Sequence, residues 1–132
     1  MARINNPQLT LTTVGNNVRI NVTYSAGINR LERFLVANGL ALVERIAVIG
    51  VDPPNSTTGT VLHNFPAEAL PVTAGGGAQT IARNRSLTVT RASLQEDAGL
   101  GDDDEIRCRI TIDAVNLPAD VTAFTDQEIL LG

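Results

Sequence analysis

Ser86–Ile110, SLTVTRASLQEDAGLGDDDEIRCRI, sets two alternating apolar runs on either side of a loop crowded with acids. Leu87 and Val89 fall on one face of the first run. In the second, continued to Ile112, Ile106, Cys108, Ile110 and Ile112 alternate with Arg107, Arg109 and Thr111. Period two of this kind is the mark of strands with one face buried. It also places Cys108, the only cysteine of the chain, among isoleucines. Burial raises a thiol's pKa and makes it inert, so Cys108 is expected to be a structural core residue rather than a nucleophile. No second cysteine exists to close an internal disulfide, and no closely spaced ligand set exists to hold zinc.

The same period runs outward from this segment. In QLTLTTVGNNVRINVTYSA, Leu9 and Leu11 alternate with threonines, the chain turns at Gly15-Asn16-Asn17, and Val18, Ile20, Val22 and Tyr24 resume on one face. LALVERIAVIGVD is a β-rich run stopped by Asp52-Pro53-Pro54, TVLHNFP is a brief strand, and VTAFTDQEILLG supplies a last one. NRLERFLVANGL has a different period: Leu31, Phe34 and Leu35 stand at i, i+3 and i+4, with Asn29 as N-cap and Gly39 as the stop. The spacing predicts a helix of about two turns. About seven or eight short strands with one short helix give an antiparallel all-β sandwich, and residues 1–132 fit one domain. Parallel α/β folds need many more helices than this.

Composition narrows the function. Apolar residues make up 43% of the 132 residues, yet only 3% are aromatic and none is tryptophan, so the core is built from Val, Ile, Leu and Ala. A formal charge of −4 excludes a protein that works mainly by neutralising phosphates, and nucleic acid is not an expected partner. All ten basic residues are arginine, which rules out a lysine Schiff base or a P-loop lysine. The start, MARINNPQLTLTTVG, does not read as a cleavable signal. No run approaches the roughly 18 apolar residues that span a bilayer. The expectation is a protein that does not enter membranes, cytoplasmic or released as part of a particle. Without a leader, the N-x-S/T triplets at Asn21, Asn55 and Asn84 read as chance.

The strand pattern resembles an immunoglobulin-like domain. PQLTLTTVGNNVRINVTY is similar to that family's first two strands, with Val22 where the first cysteine stands, and SLTVTRASLQEDAG is similar to strand E and the corner after it. DDDEIRC resembles the D-x-[GA]-x-Y-x-C that opens strand F, with Asp102 at the acid, Ile106 at the tyrosine and Cys108 at the second cysteine. The resemblance implies a two-sheet sandwich, here without the disulfide, the corner tyrosine or the core tryptophan.

Candidate sites are few. Asp102, Asp103, Asp104 and Glu105 form an acidic loop at a strand end, the one candidate for a bound calcium, although the spacing is not that of an EF-hand and consecutive acids on extended backbone diverge. A solvated loop is the alternative reading, and no other cofactor is expected. A carboxylate pair for glycoside hydrolysis lacks the aromatic platforms of a sugar groove, no G-x-S-x-G elbow is present, and Gly75-Gly76-Gly77 lacks the phosphate-loop context and reads as a hairpin or inter-sheet loop. His63 sits beside an apolar run with no catalytic partner in its local sequence. The Leu31, Phe34 and Leu35 face is expected to cap the core, with docking of a partner as the alternative. Arg30, Arg33, Arg45, Arg107 and Arg109 would allow salt-bridged contacts between copies. The resulting expectation is a non-enzymatic structural or interaction module, self-associating or an accessory subunit of a larger assembly, akin by analogy to those of phage-like particles or filaments. A calcium-dependent adhesion module and a small hydrolase are the alternatives.

Overall fold

The computed structural model describes residues 2–51, 59–73, 75–94, 104–115, 120–126 and 128–130. Two antiparallel sheets face each other. The first holds β1 (Arg3–Val14), β2 (Asn17–Ile28) and β6 (Gln79–Thr90) in the order β1-β2-β6. The second runs β4 (Gly59–Asn64), β3 (Leu42–Val51), β7 (Asp104–Ala114), β8 (Asp120–Phe124). Two short strands extend its edges: β5 (Glu68–Ala69) pairs with β3, and β9 (Glu128–Leu130) with β7. The all-β antiparallel sandwich read from the sequence is thus the fold. β5 is too short to read from the sequence, and the single last strand expected in VTAFTDQEILLG is two, β8 and β9.

The inward faces are those the alternation marks. Val18, Ile20 and Val22 of β2 and Ile106, Cys108 and Ile110 of β7 are all 0% exposed. Each fully buried aliphatic of this size contributes roughly 1.5–3 kcal/mol, so these two strands anchor the core, joined by Ile46 and Val48 of β3 and by Leu94. The β1–β2 hairpin closes through two residues, Gly15 and Asn16, between the paired Val14 and Asn17. Gly15 has φ +60, the left-handed value that glycine adopts without a Cβ penalty.

Between β2 and β3 the chain crosses sheets through α1 (Arg30–Ala37). Asn29 Oδ1 accepts from Glu32 N (2.8 Å) while Glu32 Oε1 accepts from Asn29 N (3.0 Å), a reciprocal capping box. At the other end Gly39, with φ +105, donates to Val36 O (3.1 Å), and Leu40 N donates to Leu35 O (3.0 Å). This pair of bonds is the Schellman arrangement. Both helix ends are therefore fixed by local sequence, as Asn29 and Gly39 promised.

Candidate functional site

Of the acidic loop, Asp102 and Asp103 lie outside the described residues. Asp104 opens β7 opposite Leu130, and Glu105 follows, half-buried, opposite Ile129. Among the described residues no three His, Cys, Asp or Glu side chains gather to hold a metal, and no helix is long and apolar enough to cross a membrane.

Cys108 is buried in the inter-sheet core. Burial, helped by the negative charge of Asp126, pushes its thiol up to about 12. Its backbone is clamped as well: Cys108 N donates to Thr125 Oγ1 and Thr125 N donates to Cys108 O, both at 2.9 Å. The next residue, Asp126, accepts from Leu9 N at 2.9 Å through Oδ1 and so ties β1 to the opposite sheet. Asp126 also raises the Glu128 carboxyl, first by a hydrogen bond, with burial adding to it.

One serine–histidine pair escaped the sequence reading. Ser93, in the 3-10 turn Arg91–Leu94, lies with Oγ 2.8 Å from His63 Nε2 of β4. Ser93 Oγ also donates to Thr90 O at 2.6 Å. A hydroxyl has one hydrogen, so the imidazole supplies the proton of the other bond. With Ser93 turned to Thr90 in this way, the ring nitrogen facing it carries a proton.

A second cluster lies inside the sandwich. Glu44 of β3 is 0% exposed. Its carboxylate accepts from Tyr24 Oη on β2, from Arg85 Nη1 on β6, and from Arg83 on β6 through Nε (3.0 Å) and Nη2 (3.3 Å). Arg83 Nη2 and Arg85 Nη2 also pair with Glu68 of β5, at 2.8 and 3.3 Å. Arg85 Nη2 further donates to Pro66 O, and its guanidinium stands 5.8 Å over the Phe65 ring. Burial alone would raise Glu44. The hydrogen bonds of Arg83 and Tyr24, with the charges around them, outweigh it and hold the carboxyl below its ordinary range. Burial, then Glu44, pushes the Tyr24 phenol well above its usual value. The two carboxylates and two guanidinium groups of the cluster match in charge, and they tie β6 to β3 and β5 across the sandwich.

The helix corrects an expectation. Leu31 and Phe34 do not cap the core: they are 63% and 61% exposed, and it is Glu32, held by the capping box, that turns inward. Beside them a groove of about 140 Å³ runs between α1 and the second sheet, lined by Ala2, Leu31, Leu35, Leu40, Ile112 and Val121. The arginines on the helix's other side are engaged within the chain. Arg30 Nε donates to Gly76 O (2.7 Å), and Arg33 donates to Thr73 O (3.0 Å from Nε) and Gly77 O (2.8 Å from Nη1). The glycine-rich segment is therefore a wrap of carbonyls around two arginines. Arg45 and Arg109 remain exposed on the second sheet. No protein-family model matches the chain, and no curated protein is similar to it in sequence.

Proposed function

We propose that this chain is a non-enzymatic structural module of immunoglobulin-like layout that works by binding protein, first of all further copies of itself, as a subunit of a larger assembly. The observation that carries the reading is the outward apolar face of α1, where Leu31 lines the groove and Phe34, about one turn further on, stands exposed. Single exposed apolar residues are ordinary, but a contiguous set rimming a groove is the usual mark of an interaction surface. Capping at both ends holds that face in place before any partner arrives, which lowers the ordering cost of binding. Binding rather than catalysis is favoured by the direction of the His63–Ser93 hydrogen bond and by the inertness of Cys108. The immunoglobulin-like layout is favoured by the order β1-β2-β6 against β4-β3-β7-β8, which matches A-B-E against C′-C-F-G. β5 departs from that layout by pairing with β3 instead of lying beside β6.

The test is Leu31→Ser combined with Phe34→Ser, followed by light scattering across a concentration series. Association of the wild-type chain is expected to weaken roughly tenfold or more, as for loss of central apolar anchors, with the melting temperature unchanged because neither side chain is in the core. A wild-type chain that stays monomeric at high concentration would overturn the reading.

A further inference from the structure

Resting on that self-association reading, we infer that the outer edge of β6 pairs antiparallel with β6 of a second copy, about a two-fold axis at Asn84. The phase of the strand supports this. Arg91 N donates to Asn16 O at 2.8 Å, within the register that pairs Asn17 with Thr90. Hydrogen-bonded pairs alternate along an antiparallel ladder, so the odd-numbered residues of β6 bond to β2. Thr80, Ala82, Asn84, Ser86 and Thr88 consequently turn both main-chain groups away from the sheet. Among the described residues, no strand lies on that side of β6. The next outward carbonyl, that of Thr90, is already taken by Ser93 Oγ, which ends the open edge there.

Edge strands are normally guarded against such pairing, and the other edge of this sheet is. β1 has a register shift between Asn5 and Gln8, Asn6 at φ 52, a proline at position 7 and Asp126 capping Leu9 N. β6 keeps one register over its whole length, has no proline, and carries only small uncharged side chains at the outward positions. Inward-pointing charge is another guard, and Arg83 and Arg85 point inward. Both are neutralised by Glu44 and Glu68, so they offer no unmatched charge to an incoming strand.

A second copy of the same strand is the occupant whose donors and acceptors match. Facing residues share a face of the sheet, which limits the two-fold axis to a residue rather than a bond. With Asn84 on the axis, Asn84 faces Asn84 of the second copy, Ala82 faces Ser86, and Thr80 faces Thr88. All of these are hydrogen-bonding positions, giving about ten main-chain bonds, the usual complement of a specific interface. Centring on Arg85 instead would draw in Thr90, whose carbonyl is occupied.

Two variants that each add one cysteine test the register in the full chain, the native Cys108 being buried. Hydrogen-bonded antiparallel partners have Cα atoms about 5.5 Å apart, within disulfide range. Asn84→Cys is expected to form a covalent dimer under mild oxidation, whereas Thr80→Cys, about 27 Å from its own copy along the strand, is not. Asn84→Pro removes an N–H that faces solvent in the monomer; it is expected to keep the native circular dichroism and to lower the association seen by light scattering to what the α1 face alone supports. Thr88→Arg is the second such variant should the proline misfold. Association as strong as that of the wild-type chain in both variants, or cross-linking of Thr80→Cys as fast as of Asn84→Cys, overturns the edge pairing and leaves self-association through α1 standing. A wild-type chain monomeric throughout overturns both.

Discussion

Glu44 on β3 and Arg83 on β6 come from opposite sheets and meet inside the sandwich, Arg83 Nε 3.0 Å from Glu44 Oε2, with the carboxylate fully withdrawn from water. Polar groups at this depth are tolerated only when every lone pair is used. Here Tyr24, Arg83 and Arg85 use them. The cluster stands where β6 has no second strand neighbour among the described residues, so ion pairs to β3 and β5 hold an edge that those backbone bonds do not.

Replacing Glu44 by Gln keeps the shape and leaves two arginines facing a neutral amide. Removing one partner of a buried pair costs about 3–5 kcal/mol, and the partial exposure of Arg83 and Arg85 (12% and 11%) favours the lower end. Tyr24→Phe, which deletes one hydrogen bond to a charged group, is expected to cost about 1.5–3 kcal/mol. Urea denaturation measures both. The pH profile supplies a second readout. Glu44 titrates lower in the folded chain than in the unfolded one, so its contribution is complete above about pH 4.3 and is lost as pH falls through the folded value. Glu44→Gln should flatten the acid limb of the stability curve. An unchanged urea midpoint and acid limb would show that the pair does not hold the sheets together.

Those arginines also explain what the sequence concealed. In QTIARNRSLTVT the inward positions read Ile81, Arg83, Arg85, Leu87, Val89, and two charges in the apolar register hide the first half of β6. Only SLTVTRA looked like a strand. In β3, Glu44 hid in the same way, one of two adjacent charges, with Arg45, within an otherwise apolar run. Where the inward positions are uniformly aliphatic, as in β2 and β7, the alternation sufficed. The caps of α1 were legible because Asn29 and Gly39 act locally. Its orientation was not, because a short amphipathic pattern says which residues share a face and not whether the fold covers it. Nor could local sequence bring His63 to Ser93, thirty residues apart.

Gly75 and Arg33 form one unit. A Cβ on Gly75 would stand 2.8 Å from Arg33 Cζ and closer still to Nη2, so Gly75→Ala must push the guanidinium off the carbonyls of Thr73 and Gly77. The displaced atoms end a flexible side chain, and the expected loss is about 1 kcal/mol, that of ordinary hydrogen bonds to a charged donor less what water restores. Arg33→Ala removes the same bonds. Because both substitutions act through one contact, the double variant should be no less stable than the worse single one. Additive losses in a double-mutant cycle would mean that the carbonyl wrap is not what Gly75 serves.

Cys108 and Tyr24 together make the fold sensitive to alkali. Both protons are held more tightly in the folded chain than in the unfolded one, Cys108 up to about 12. The unfolded thiol ionises from about pH 8.5 and the unfolded phenol from about pH 10. A group with a raised folded value contributes stability that is whole below its unfolded pKa and lost above it. Stability should therefore fall by about 1.4 kcal/mol per pH unit once the thiol can ionise, and about twice as steeply once the phenol joins. Cys108→Ala should delay the first fall until about pH 10, at the expense of a small cavity. In the wild-type chain the thiol should react with a disulfide reagent only as fast as the protein opens, so that labelling speeds up in step with added urea. Rapid labelling without denaturant would place Cys108 outside the core, and the two-sheet packing built around it would fail with it.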